Sequence, residues 1–338
     1  VPWFLACNTD IKIGKIIDFS DFDRSYMRVI KKESSFPSDV APVVTLGNFD
    51  GIHLGHQKIL STVVKRARVL KAPSVVYTFD PHPLKVVAPE KCPSLILGLA
   101  DKIALVERSG IDFFVLARFT SDFAALHPRE FARDVLAGRL GAKEILVGKD
   151  FSFGSARSGD VNSLSEFGKD LGFIVKAVSP CRRGGLVVSS SRIRALVSTG
   201  EVKKAAALLG RPFFMRGRVV PGDARGRELG FPTANIEPLG ELVPAGGVYA
   251  GVVTHECGRY KGIINIGSRP TFGGHDGSIS IEVHILDFDG DIYGSAITLE
   301  FIKKLRDERA FSSSKALVRQ IKADRSRAEK ILNKVMTS

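Results

Sequence analysis

A chain of 338 residues, 44% hydrophobic and 25% charged, has the make-up of an ordinary globular protein and the length of about two domains. That excludes disorder, collagen and coiled coil. No apolar run approaches the ~18–20 residues a bilayer span requires, so a membrane protein is not expected. Lys and Arg outnumber Asp and Glu by 49 to 36, and Arg182 to Arg227 alone, with eleven basic and two acidic residues, supplies +9 of the net +13. An excess confined to one glycine-bearing stretch suits small anionic ligands or a solvated basic face. A nucleic-acid surface would interleave aromatics, and within the stretch only the adjacent Phe213 and Phe214 occur.

At the amino end VPWFLACNTDIKIGK shows no basic start followed by a sustained apolar core, so no secretory leader is expected. Cys7, Cys92, Cys181 and Cys257 lie far apart and form no CxxC, which reads as reduced thiols in a cytoplasmic protein. Residues 1–26 stand apart as an extension, and MRVIKK at 27–32 begins the first strand. From Pro42 short β-branched runs alternate with helical patterns. The predicted strands are 42–46, 74–79, 111–116, 144–148 and 172–178; helices are predicted for 54–70, 99–109, 128–140 and 162–171. Such interleaving predicts a parallel sheet covered on both faces, with ligands at the carboxyl ends of its strands.

Beyond Leu209 the texture changes to short strands broken by glycine turns, which predicts an antiparallel barrel or sandwich. ISIEVHI at 279–285 alternates, with Ile279, Ile281, Val283 and Ile285 on one face and Ser280, Glu282 and His284 on the other. ITLEF at 297–301 repeats the pattern. A closing helix is predicted from about Ser312 to Val335, with an apolar stripe of Leu317, Ile321, Ala328, Ile331, Leu332 and Val335. The expected division is 27–209 for the first domain and 210–338 for the second.

Two constellations carry chemistry. After the first strong strand comes GNFDGIHLGHQKIL, 47–60, where Gly47, Gly51 and Gly55 let backbone approach a phosphate closely. His53 and His56, three apart at a helix start, can face the same point as the free N–H groups there and steady charge on a triphosphate. No GxxxxGK[ST] occurs, so a P-loop mechanism is excluded. The second stretch is GRVVPGDARGRELGFPTANI, 217–236, in which Gly222 and Gly226 make a loop flanked by Arg225 and Arg227. Thr233 and Asn235, two apart on an extended segment, point the same way, and their oxygens are hard ligands suited to Mg²⁺ shared with ATP phosphates.

HxGH after the first strand of an α/β domain resembles the nucleotidylyltransferases. The fuller GNFDGIHLGHQ, with FDPHP at 79–83, LVGKDFSFG at 146–154 and SSSRIR at 189–194, resembles the bacterial bifunctional riboflavin kinase/FMN adenylyltransferases, or FAD synthetases. The chain departs at Ser191, usually Thr, and at Ser152, commonly Arg. GRELGFPTAN is similar to the riboflavin kinase signature, and 244–251, 265–273, 281–294 and 301–311 match that kinase in order, so the resemblance covers about 27 to 338.

The resemblance implies a Rossmann-like α/β domain and a six-stranded Greek-key kinase barrel with a carboxyl-terminal helix. Riboflavin and ATP would give FMN, then FMN and a second ATP would give FAD and pyrophosphate. It implies Mg²⁺–ATP on Thr233 and Asn235, with Glu282 as catalytic base. The FMN phosphate is ionised at neutral pH and needs no base, whereas riboflavin's 5′-hydroxyl benefits from one. In the first domain His53 and His56 would stabilise the α-phosphate, and Ser190, Ser191, Arg192 and Arg194 would hold the departing pyrophosphate. Asn48, Phe49 and Asp50 would line the nucleotide, with His82 and Asp150 toward the flavin. A monomer or weak homo-oligomer without nucleic-acid or membrane partners is expected. Two rivals remain at this level: an adenylyltransferase for another acceptor, which would not need a kinase barrel, and an RNA-binding module, which would show steep salt dependence.

Overall fold

The computed structural model describes residues 26–31, 36–37, 40–222, 230–268 and 279–337. Of these, 26–93 and 99–188 form one unit, and 94–98 and 189–337 another.

In the first unit β1 (Arg28–Ile30), β2 (Val43–Leu46), β3 (Ser74–Asp80), β4 (Phe113–Arg118), β5 (Glu144–Gly148) and β8 (Ile174–Val178) form one parallel sheet in the order β1-β4-β3-β2-β5-β8. All four residues of β2 are buried, because helices cover both faces. At the edge, β8 leaves Ile174 60% exposed. The strand order reverses between β2 and β5. That switch point opens a crevice at their carboxyl ends, the place where such sheets bind ligands.

Helix α1 (Leu54–Leu70) buries Leu60, Val63, Val64 and Ala67, a one-faced spacing that seats it on the sheet. Its Arg66 grips Glu144 of β5 through Nε and Nη2 at 2.8 and 2.6 Å, and Lys176 of β8 adds a third contact at 3.0 Å. Shorter helices α2 (Pro83–Val87), α3 (Leu99–Glu107) and α4 (Ser121–Ala125) follow. The helix expected over 128–140 is not uniform. A first turn, α5 (Pro128–Glu130), is capped by His127 and Glu130, and then a π-helix runs Phe131–Arg139. The wider π turn brings Phe131, Ala132, Val135 and Leu136 together onto the core. A small hairpin, β6 (Ser152–Phe153) and β7 (Gly159–Asp160), precedes α6 (Val161–Leu171). A second hairpin, β9 (Arg182–Arg183) and β10 (Leu186–Val187), closes the unit.

The second unit opens with α7 (Ser190–Ser198) and α8 (Val202–Leu209), which lie with the barrel: the Ala245 N–H donates to the Val197 carbonyl at 3.3 Å. Strands β11 (Phe213–Val220), β12 (Ala234–Pro238), β13 (Gly247–His255), β14 (Gly258–Ser268), β15 (Ile279–Ile285) and β16 (Ala296–Arg306) close a six-stranded antiparallel barrel in the order β11-β12-β15-β14-β13-β16. The alternation predicted for 279–285 holds from Ser280 on, with Ile281, Val283 and Ile285 buried and Ser280, Glu282 and His284 half-buried, but Ile279 at the strand's start is 56% exposed. Phe213, Phe301 and Tyr249 meet at ring separations of 5.9 and 5.4 Å.

Helix α9 (Ser314–Met336) packs Ala328 and Leu332 against Val248, Ala250, Val252, Ile263 and Leu305. Its stripe differs from the expected one, since Val335 is 37% exposed and Asp324 is buried instead. A carboxylate is tolerated there because Arg306 of β16 donates to it through Nε at 2.8 Å and Gln320 at 2.7 Å.

Candidate active sites

Between β2 and α1 the chain makes a strained turn. Phe49 (φ 47°) and Ile52 (φ 37°) are both in the left-handed region, and both are 2% exposed. Each costs on the order of 1–3 kcal/mol, which buried packing of the two side chains sustains. The turn sets His53 as the N-cap of α1, its Nδ1 accepting from the His56 N–H at 3.2 Å. A neutral His53 therefore carries its proton on Nε2, a donor. The His53 and His56 rings stack at 3.7 Å and 14°, with the Phe49 edge against His56 at 5.2 Å. A Cβ at Gly55 would stand 3.0 Å from His53 Cε1, so glycine at that position leaves the ring its seat. Two stacked imidazoles thus stand at the positive end of a 17-residue helix, a geometry compatible with an anion.

Asp50 lies buried in the same turn, and Gly47 and Gly51 flank it. Lys102 of α3 is also buried, at 7% exposure. Burial pulls its ammonium below the ordinary lysine value, and the Asp50 and Asp80 carboxylates oppose that fall. Sequence reasoning missed this cation, because one lysine in an amphipathic helix carries no signal of its own.

Beside the turn is a cavity of about 440 Å³ lined by Phe79, Phe119, Phe123, Phe131, Phe151 and Phe153, with Gly47, Asn48, His82, Asp150, Ser152 and Arg157 as its polar points. The Asn48 amide meets His82 Nε2 at 3.0 Å, while His82 Nδ1 accepts from the Leu84 N–H at 3.2 Å. Asn48, His82 and Asp150, expected near the nucleotide and flavin, thus share one cavity at the sheet's switch point. The phenylalanines were not singled out from sequence. They come from five separate segments, and only the fold makes them neighbours.

The expected pyrophosphate ligands are on α7, in the other unit. Ser190, Arg192 and Arg194 are half-buried and Ser191 is exposed; Arg194 Nε donates to the Ser94 carbonyl at 2.9 Å.

In the barrel, Glu282 of β15 stands opposite Asn235 of β12 and Asn265 of β14. Its Oε2 accepts from the Thr233 hydroxyl at 3.5 Å. Thr233, Asn235 and Glu282, 49 residues apart at the extremes, are thus brought to one place. A Cβ at Gly222 would lie 1.8 Å from the Asn235 amide nitrogen, so only glycine lets the β11 end approach this group. His284 Nδ1 lies 2.7 Å from the Pro232 carbonyl, and its ring meets the Phe231 edge at 5.8 Å. His284 thereby braces the segment that carries Thr233. The expected phosphate ligands Arg225, Gly226 and Arg227 lie outside the described residues. Among the described residues no group of three or more His, Cys, Asp or Glu is placed to hold a metal.

The chain matches two family models, FAD synthetase over residues 36–192 and riboflavin kinase over 209–332. A bifunctional riboflavin kinase/FMN adenylyltransferase of Pseudomonas fluorescens is 41% identical over 282 residues, covering 83% of this chain and 90% of that protein. Proteins of the same name from Escherichia coli K12 and Bacillus subtilis 168 are each 38% identical, covering 83% and 85% of this chain. A crystal structure described as a macrolide-efflux protein from Streptococcus pneumoniae superposes with a TM-score of 0.80 at 36% identity, covering 89% of this chain and 97% of that one. Among the described residues no helix is long and apolar enough to cross a membrane. Two matched segments in this order, and relatives alike over most of both chains, make this protein a member of the bifunctional riboflavin kinase/FMN adenylyltransferase family.

Proposed function

We propose that the family's two activities are divided between the two halves of the chain, about Gly210, with the barrel as the riboflavin kinase and the α/β half as the FMN adenylyltransferase. Both reactions use ATP; together they carry riboflavin to FMN and FMN to FAD. The observation that supports the division is that polar groups gather separately, Thr233, Asn235 and Glu282 in the barrel and the stacked His53 and His56 with an aromatic cavity in the α/β unit.

In the barrel, Glu282 takes the proton as the riboflavin 5′-oxygen attacks the γ-phosphorus of ATP, and ADP leaves. The Thr233 hydroxyl and Asn235 amide oxygen fit Mg²⁺, which prefers a few protein oxygens and completes its shell with phosphate and water. Such an ion would neutralise phosphate charge there. Arg225, Gly226 and Arg227 complete the phosphate loop.

In the α/β half, an FMN phosphate oxygen attacks the α-phosphorus of ATP, and the bond to pyrophosphate breaks. No proton moves. His53 and His56 donate to the oxygens gathering charge, and Asn48, Phe49 and Asp50 shape the turn around the nucleotide. His82 and Asp150 face the flavin, and Ser190, Ser191, Arg192 and Arg194 hold pyrophosphate. The enzyme works in the cytoplasm as a monomer or weak homo-oligomer on riboflavin, FMN and ATP, without nucleic acid; the free thiols Cys92, Cys181 and Cys257 suit that compartment.

Chromatographic separation of riboflavin, FMN and FAD after incubation with Mg²⁺–ATP tests the division. The His53→Ala/His56→Ala variant should turn riboflavin into FMN at nearly the normal rate and make no FAD. Loss of both activities in a folded variant would refute it.

A further inference from the structure

The β6–β7 hairpin holds a feature that neither reaction has used. Gly154, Ala156 and Arg157 all have positive φ, at 71°, 50° and 58°. Two of the three carry a Cβ, an arrangement that costs conformational energy and persists only when its surroundings hold it. Those surroundings are on hand. The Ser155 N–H donates to the Leu126 carbonyl at 2.8 Å, the Arg157 N–H to the Gly154 carbonyl at 3.0 Å, and Gly154 sits against Pro128. The turn presents an exposed Arg157, whose Nε donates to Ser152 Oγ at 2.8 Å. Among the described residues lining the cavity, Arg157 is the one Lys or Arg.

The cavity takes its lining from chemically different places. Gly47, Asn48 and His82 stand at the carboxyl ends of β2 and β3, Gly47 and Asn48 in the same turn that leads to His53 at the cap of α1. Arg157 belongs to the turn that packs on α4, which contributes Phe123 to a cluster with Phe79, Phe119 and Phe131. A flavin phosphate has to reach the first of these places, where adenylyl transfer occurs, so its tricyclic ring occupies the second. One edge of that ring is hydrocarbon. The other is a pyrimidine edge whose carbonyl oxygens and N1 are in-plane acceptors. With Nε committed to Ser152, the planar guanidinium still offers its terminal N–H groups as a fork suited to two such acceptors.

We propose that Arg157, braced by Ser152, is the specificity residue that reads the pyrimidine edge of the flavin in the adenylylation cavity. The inference rests on the reading of this cavity as the FMN site. It also assigns a task to Ser152.

The test uses the full chain and two flavins: FMN as substrate, and lumiflavin, the ring without its ribityl phosphate, as a competitor of FMN. Arg157→Ala should raise KM for FMN at least about 10-fold and weaken lumiflavin inhibition by the same factor, with KM for ATP within about twofold. Ser152→Ala should do the same to a smaller extent, about 2–3-fold, because the fork is retained but less fixed. Arg157→Lys should recover little, since an ammonium cannot make the planar pair. The riboflavin kinase rate of each variant monitors folding, and Arg157→Gln replaces Arg157→Ala if that variant loses it.

Unchanged FMN and lumiflavin constants in Arg157→Ala would reduce the residue to a solvated hairpin cation. A raised KM for FMN with unchanged lumiflavin inhibition would put Arg157 on the phosphate and overturn the proposal. Failure of the wild-type chain to adenylylate FMN would sink the reading of the cavity, whereas normal wild-type turnover with a normal Arg157→Ala variant sinks this inference alone.

Discussion

Glu282, as the proposed base, is the side chain on which the two chemistries should separate. It lies on the half-buried polar face of β15, within 3.5 Å of the Thr233 hydroxyl, where a carboxylate can accept a proton from a bound alcohol. Glu282→Gln keeps size and polarity and removes the proposed base. Loss of a general base costs on the order of 10²–10⁴ in rate, so FMN formation from riboflavin should fall at least ~100-fold. Adenylylation of supplied FMN should stay within about twofold, because its phosphate nucleophile is already ionised and reacts without a base. Rates of FMN and FAD production measured separately check both halves. Near-normal kinase turnover would send the search for the base elsewhere. The alternation of ISIEVHI already placed this carboxylate on the polar face. Its approach to Thr233 was out of reach of any pattern, since Thr233 immediately precedes β12, which meets β15 only in the folded barrel.

At the scale of elements, Glu144 ties three of them together. From β5 it receives Arg66 of α1 and Lys176 of β8, while its own side chain is 2% exposed. Burial alone would push its carboxyl up, but the Arg66 and Lys176 hydrogen bonds and charges outweigh that and hold it below the ordinary glutamate value. The stability it lends is therefore present above about pH 4.5, the unfolded value, and is lost as acid titrates the folded carboxylate below that. Glu144→Gln should lower stability by roughly 2 kcal/mol at pH 7, less than for a fully buried pair because both cations can turn to water. The gap between wild type and variant should close as pH falls below 4.5. Urea midpoints across pH 3–7 measure this; a gap that widens in acid would contradict the assignment. Since α1 carries His53 at its cap, the same tie seats the turn proposed for adenylylation. In sequence, Glu144 is an acidic residue at the start of an apolar strand, and nothing in its neighbourhood names Arg66 or Lys176 as partners.

For the molecule as a whole, the packing of α7 and α8 with the barrel has a consequence for where the chain can be cut. Phe213, 2% exposed, begins β11 against Phe301, and α8 precedes it. A fragment starting at Ser189 keeps both and should melt cooperatively while phosphorylating riboflavin. One starting at Met215 loses them and should melt about 10 °C lower or more, since deleting a buried phenylalanine alone costs roughly 3–5 kcal/mol. Calorimetry of the two fragments, with the kinase assay, decides it. Equal melting temperatures would show that the two helices add nothing to the barrel.

Periodicity and motif spacing by themselves determined the two fold classes, the extent of most strands and helices, and the place of the glycine turn between β2 and α1. These are local properties: a strand's alternation, a helix's stripe and a glycine turn before a helix are written within a few residues of one another. The tertiary structure alone decided what meets across the fold. It gathered six phenylalanines from five segments into one cavity, buried Lys102 near Asp50, let Asp324 replace an apolar residue by pairing it with Arg306, and turned Arg157 onto Ser152. Each of these depends on groups separated in sequence that only sheet order and burial bring within a few ångströms, where desolvation and hydrogen bonding give them their chemistry.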